Sequence, residues 1–212
     1  MLEINNLACL RGDRLLFRQL SLSVQTGELW RVLGANGVGK TSLLRLLCGL
    51  TTPEAGEVLW QGKSIRQERE DFHAALLYLG HAPALNDLLT PVENLRFACA
   101  FGGDEASEAD CKSALSRIGL SRQLDLPAKV LSQGQRRRVG LARLLLATRR
   151  PLWILDEPFT ALDVAAVGEL ADVITQHASA GGMVIFTSHQ DAGFSVPVRT
   201  LDIGELRGEL GE

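Results

Sequence analysis

Gly34-Ala35-Asn36-Gly37-Val38-Gly39-Lys40-Thr41, GANGVGKT, sets three glycines and a lysine between the apolar run LWRVL and a leucine-rich segment ending at Leu50. The pattern is G-x-x-x-x-G-K-[ST], and its flanks suit it. Behind the Gly27-Glu28 turn, LWRVL reads as a buried strand. After the loop, Leu43, Leu44, Leu46, Leu47 and Leu50 recur at helical spacing, and Gly49 suits a helix end. A phosphate group needs several backbone N–H groups close by, and glycine leaves the room and the φ freedom for that approach. The helix N-terminus adds partial positive charge. Lys40 supplies a point charge to the β- and γ-phosphates, and the Thr41 hydroxyl can ligate Mg²⁺, with Ser42 beside it. The segment Gly34 to Ser42 is read as a nucleoside triphosphate cradle.

Outward from the loop, LEINNLACL and LLFRQLSLSVQ alternate in part and read as strands of an N-terminal antiparallel sheet. EVLW is a short strand before a turn at Gln61-Gly62, and AALLYL (Ala74 to Leu79) is a buried strand. From 83 to 150 the strand character disappears. Helices are expected from Pro91 behind Thr90, over Glu108 to Ile118, and over Gln133 to Thr148. Strand character returns at PLWILD, MVIFTS and VRTLDI, with a helix over Val164 to Ala180 between the first two. The expected fold is α/β: a single 1–212 domain with a P-loop NTPase core (1–82 and 151–212), an N-terminal antiparallel β subdomain, and an inserted helical lobe at 83–150.

In LWILDEP an apolar strand ends in two acids, and strand C-terminal ends are where ligands gather in such sheets. Asp156 would hold Mg²⁺, directly or through water. Glu157 would stand near the γ-phosphate, able to orient or deprotonate the attacking water.

The segment Leu131-Ser132-Gln133-Gly134-Gln135, LSQGQ, resembles the signature loop of the ATP-binding-cassette family, which usually reads LSGGQ. The family's landmarks follow one another along the whole chain: GANGVGKT, LSQGQ, WILDEP, then Ala161 to Asp163 (ALD) and Ser188-His189. The signature is itself a helix N-terminus, with Ser132 as N-cap and Gly134 allowing close backbone approach. The resemblance implies that Ser132, Gly134 and Gln135 close on ATP held by a second copy, giving a head-to-tail dimer with two composite sites. It further implies that Asp163 bridges those sites and that His189 contacts the γ-phosphate and the catalytic water.

Three positions depart from the family pattern. His81 stands where glutamine is usual, with Asn86 the nearest alternative in that loop. Arg11 occupies the position of the aromatic residue that stacks on adenine, and a guanidinium can also stack on a base. Gln133 replaces a signature glycine.

Composition bounds the rest. The chain is 46% hydrophobic and 22% charged with a formal net charge of −3, so it lacks the basic field of a nucleic-acid binder. Arg136 to Arg138 would fan over most of a helical turn, and the expectation is a solvated, ion-paired helix start. Cys9, Cys48, Cys99 and Cys111 form no CxxC pair and are read as small apolar residues in a reducing compartment. The N-terminus lacks the n- and h-regions of a signal peptide, and no apolar run approaches the roughly 20 residues needed to span a bilayer.

RLLCGL, YLGH, ENLRF, RRRVGLARL and LWILDEPFTALD resemble the branch of the family that serves cytochrome c maturation, the haem-exporter ATPases. That likeness implies a translocase-type ATPase using ATP and Mg²⁺, peripheral on the cytoplasmic face of the bacterial inner membrane, with integral membrane subunits and no nucleic acid as partners. It would couple hydrolysis to haem delivery or to release of a haem-loaded chaperone. The alternatives are the ATPase of another small exporter, a soluble non-transport ATPase of the same family, and a nucleotide-gated module that barely hydrolyses.

Overall fold

The computed structural model describes residues 1–147 and 149–206. Strands β1 (Leu2–Arg11) and β2 (Arg14–Val24) form an antiparallel hairpin about Gly12. Their buried residues change parity partway: Leu2 and Ile4, then Leu7 and Cys9 on β1; Phe17, then Leu20 on β2. A regular strand would turn one of each set to solvent. Asn6 (φ 48°) and Gln19 (φ 56°) correct this by bulging the strands, and the pairing slips between Ile4 and Leu7.

Strand β3 (Leu29–Leu33) leads through the glycine loop into α1 (Lys40–Leu47), which buries Leu43, Leu44, Leu46 and Leu47. Next come β4 (Ala55–Trp60) and β5 (Lys63–Ser64), joined at Gln61-Gly62 with positive φ at both residues. A Cβ on Gly56 would sit 2.3 Å from the Asn5 carbonyl, so the bulge in β1 admits only glycine opposite. The resulting antiparallel sheet has the order β2-β1-β4-β5.

The expected strand over Ala74–Leu79 is shorter than read. Ala74 and Ala75 close a helix, α2 (Arg69–Ala75), and the strand β6 is Leu76–Leu79. Helices α3 (Pro91–Gly102) and α4 (Glu108–Arg117) each start in a capping box, Thr90 with Glu93 and Ser107 with Asp110. The next helix, α5 (Gln133–Leu141), also ends before the expected Thr148; a 3₁₀ segment, Ala142–Leu145, follows it, and Thr148 itself lies outside the described residues. The reason is that the segment serves two cores. Val139 and Ala142 pack among Val92, Leu95, Cys99 and Leu115, whereas Leu141, Leu144 and Ala147 pack with Trp153, Leu155 and Phe159. Tightening to 3₁₀ re-aims the later side chains.

Strands β7 (Leu152–Leu155), β8 (Met183–Thr187) and β9 (Val198–Asp202), with helix α6 (Val164–Ser179) between the first two, complete the core. The second sheet is parallel with the order β6-β7-β8-β3-β9. One apolar cluster joins it to the antiparallel sheet and α1; a second joins its other face to α6, where the rings of Trp153 and His177 stack with centroids 3.7 Å apart. The third, among α3, α4 and α5, is a core of their own. Buried Arg150 ties these helices to the sheet: it pairs with Asp104 and donates to the carbonyls of His73, Leu76 and Gly102. All four cysteines are buried free thiols.

Candidate active site

Strands β7, β8 and β3 are neighbours and end at one edge of the parallel sheet, so the residues just beyond them converge. In register, Leu155 lies opposite Phe186, and Val32 opposite Thr187. This places Asp156 beside Thr187, with the glycine loop one strand further on.

The loop is shaped as a cradle. Gly34, Gly37 and Gly39 have φ of 136°, 76° and 121°. A Cβ on Gly34 would lie 2.7 Å from Val38 Cγ1, and one on Gly39 3.2 Å from Leu16, while Gly37 faces open space. Val38 is turned into the core, its N–H donating to Ala35 O. Lys40 Nζ folds back onto the Gly34 carbonyl at 2.6 Å and lies 3.4 Å from Ala35 O.

The acids are held by hydroxyls. Thr41 Oγ1 donates to Asp156 Oδ2 and Thr187 Oγ1 donates to Asp156 Oδ1, each at 2.9 Å. Asp156 is 2% exposed. Thr187 Oγ1 also accepts the Glu157 N–H at 2.8 Å. Glu157 has φ 51°, a conformation that a side-chain-bearing residue adopts only when held. Its Oε1 is buried without a hydrogen-bond partner among the described residues, 3.7 Å from His189 Nε2. His189 Nε2 also lies 2.9 Å from Asn36 Oδ1 and 3.4 Å from Lys40 Nζ. The turn carrying His189 is anchored by Arg31 of β3, which donates twice to the Ser188 carbonyl.

A cleft of about 200 Å³ runs over these groups, lined by Arg11, Leu16, Asn36, Gly37, Gly39, Lys40, Thr41, Ser42, His81, Asp156 and Glu157. Arg11 and His81, both departures from the family pattern, therefore face it. Asn86 does not line it; its amide groups bond to Asn94 and Leu88 and shape the loop before α3.

Ser132, Gly134, Gln135 and Asp163 do not line it either. Ser132 and Gln135 form a capping box at the start of α5. Gly134 packs against the Ala161 carbonyl, which a Cβ would approach to 2.7 Å. Asp163 caps α6 through the Ala166 N–H and pairs with Arg138.

Of the three consecutive arginines, Arg136 pairs with Asp87 and Arg138 with Asp163, as an ion-paired helix start implies. Arg137 corrects that picture. It is 6% exposed and donates to the carbonyls of Gly80, His81, Asp156 and Glu157. Burial lowers its pKa, opposed by the charges of Asp156 and Glu157. Three residues spaced 100° apart span about 200° of the helix, and Arg137 is the one of the three that faces the sheet.

A sequence profile of the ABC transporter family matches residues 17–160. The cytochrome c biogenesis ATP-binding export protein CcmA of Aromatoleum aromaticum is 66% identical over 206 residues, covering 97% of this chain and 96% of that protein. The protein of the same name from Dechloromonas aromatica is 53% identical, covering 98% and 99%. Among solved structures, a putative ABC transporter ATP-binding protein from Pyrococcus furiosus superposes with a TM-score of 0.82 at 23% identity, covering 97% and 98%. The dimeric bacterial ABC transporter cassette MJ0796 gives 0.81 at 22% identity, covering 96% and 95%, and gives the same score in a post-hydrolysis state bound to ADP and Pi. These likenesses match the α/β P-loop NTPase architecture described above.

Proposed function

The chain belongs to the ABC transporter family, and from that premise we propose that it is the ATP-hydrolysing subunit of a membrane complex for cytochrome c biogenesis. The observation that carries the hydrolytic reading is the Glu157 carboxylate oxygen beside His189, without a partner among the described residues, next to a glycine loop that turns through positive φ at Gly34, Gly37 and Gly39.

In this reading the N–H groups of Gly34 to Ser42 and the start of α1 bind the phosphates, with Lys40 moving from the Gly34 carbonyl to the γ-phosphate. Thr41 and Asp156 offer hard oxygen ligands at hydrogen-bond distance from one another. Among the described residues no cluster of three or more His, Cys, Asp or Glu forms a metal cage. Few protein ligands is what Mg²⁺ takes when phosphates and water complete its shell, so the donor set fits. Bound there, Mg²⁺ neutralises developing charge on the phosphoryl oxygens. Glu157 accepts the proton of the attacking water, and His189 holds that water and the γ-phosphate in line. Arg11 stacks on the base, and His81 reports the state of the cleft to the lobe at 83–150.

Ser132, Gly134 and Gln135 stand apart from their own cleft, and the N-terminal N–H groups of α5 complete the site of a second copy in a head-to-tail dimer. Asp163 stands between the two sites. The partners are integral membrane subunits of the cytochrome c maturation complex, with the chain peripheral on the cytoplasmic face of the bacterial inner membrane. Its hydrolysis drives haem delivery or release of a haem-loaded chaperone. No helix among the described residues is long and apolar enough to cross a membrane.

The test is to isolate the tagged chain from detergent-solubilised membranes and assay ATP turnover of what is recovered. Co-purified integral subunits with ATP turnover support the proposal. Recovery with ribosomes or DNA would point to a soluble family ATPase, and an intact complex without turnover to a nucleotide-gated module.

A further inference from the structure

Arg137 joins three parts of the molecule with one side chain. Its Nη1 bridges the carbonyls of Gly80 and His81, and its Nη2 bridges those of Asp156 and Glu157, all at 2.8 Å. These carbonyls lie just past the ends of β6 and β7, where no further strand pairing takes them up. A planar fork is the side chain that spans two such pairs at a fixed separation. Glu157 is thereby held on both sides, its N–H by Thr187 and its C=O by Arg137 at 2.8 Å and by the Thr160 N–H at 3.2 Å, in a left-handed conformation.

The same helix carries Ser132 at its N-cap and Gly134 in its first turn, and the stretch from Ser132 to Arg137 spans roughly 7–8 Å of axis. Gly134 lies flush on the Ala161 carbonyl, four residues beyond Glu157. Helix α5 therefore touches the loop of the acids at Ala161, through the Arg137 guanidinium, and at the loop's far end through the Arg138–Asp163 pair.

We propose that Arg137 is a positioning residue that aims the Glu157 carboxylate, so that this carboxylate is aligned for hydrolysis only while helix α5 is seated against the sheet. The inference rests on the reading of Glu157 as the base that takes the water's proton. A shift of α5 moves the fork, and the fork moves the Glu157 peptide and the loop bearing His81 together. Arg137 itself touches no nucleotide. Its effect belongs in kcat and not in ATP binding.

Arg137→Lys keeps the charge but offers one ammonium, which cannot span both carbonyl pairs. In the purified complete complex its kcat is expected to fall tenfold to about a hundredfold, the usual scale for a misaimed catalytic group, with KM for ATP within about threefold. In a Glu157→Gln background the same substitution should lower the residual turnover by less than about twofold, because residues acting through one another do not add. An unchanged kcat for Arg137→Lys, a KM that rises as far as kcat falls, or a full second loss in the Glu157→Gln background would each overturn the inference. Should Arg137→Lys not accumulate as folded protein, hydrogen exchange on the wild-type complex decides. Addition of ATP should then protect the amides of Ser132 to Arg136, of the His81 loop and of Glu157 to Ala161 together, and independent protection of the three would overturn it. Full turnover by Glu157→Gln alone would instead remove the reading of Glu157, whatever Arg137 does.

Discussion

Nε2 of His189 stands 3.7 Å from Oε1 of Glu157, and that buried oxygen accepts no hydrogen bond among the described residues. A buried acceptor without a partner is costly, about 1–3 kcal/mol, and persists where a ligand or a water supplies the missing donor. The same histidine nitrogen reaches Asn36 and Lys40 of the glycine loop. One imidazole thus spans the distance between the phosphate cradle and the acid.

Glu157→Gln keeps the shape of this corner and removes its basicity. Turnover is expected to fall by about a hundredfold or more, while ATP still binds. ATP-bound dimer should accumulate, visible as a doubled mass in light scattering. Hydrolysis at the wild-type rate would reject the assigned role.

Thr187 is fully buried, and its single oxygen serves Asp156 as donor and Glu157 as acceptor. Thr187→Val conserves shape but strands the Glu157 N–H and an Asp156 oxygen. The expected loss of stability is about 2–4 kcal/mol, read as a lower urea midpoint, together with reduced kcat. Thr187→Ser, which keeps the oxygen, should recover most of both; if it behaves like valine, the hydroxyl is not what matters.

Arg11 faces the nucleotide cleft from the end of β1. If it supports the base, Arg11→Ala should weaken ATP binding several-fold and Arg11→Tyr should tighten it, stacking being worth about 1 kcal/mol. Titrations with ATP and GTP check this. Equal affinities across all three proteins would place the base elsewhere.

His177 lies flat against Trp153, and its burial pushes its pKa down to about 4, partly offset by its hydrogen bond to the Pro151 carbonyl. The unfolded chain holds a histidine near the ordinary value of 6.5, so between these values it binds the proton that the folded chain refuses. Stability is therefore complete above about pH 6.5 and is lost progressively as the pH falls toward 4. Melting curves at pH 7.5 and 5 should differ less for His177→Gln than for the wild type. An identical difference in both would show that another group carries the acid sensitivity.

Local signals made much of the molecule legible. Strand β3 occupies Leu29–Leu33 as LWRVL indicates, and α3 starts where Thr90 and Pro91 put it, with Glu93 completing a capping box. Helix α6 ends before Gly181-Gly182 for the same kind of reason. The residues that passed unread act through tertiary contacts. Helix α2 has only seven residues and one buried side chain, Phe72, so it has no period to detect. Thr187 differs from any strand threonine only in facing Asp156. Arg137 sits between two arginines that behave as surface charges, and its burial depends on carbonyls 19 to 57 residues away. The 3₁₀ turn at Ala142–Leu145 arises where one segment must satisfy two cores, which no single periodicity encodes.

The order of the parallel sheet carries a further consequence for biosynthesis. Strand β3, which delivers the glycine loop, is flanked by β8 and β9, which are translated well after it. At usual ribosomal speeds the nascent chain waits on the order of ten seconds between completing the loop and acquiring its first neighbour. The loop's partners in the cleft, Asp156, Glu157, Thr187 and His189, are likewise made after it, so the site is assembled only once β7 and β8 have docked beside β3.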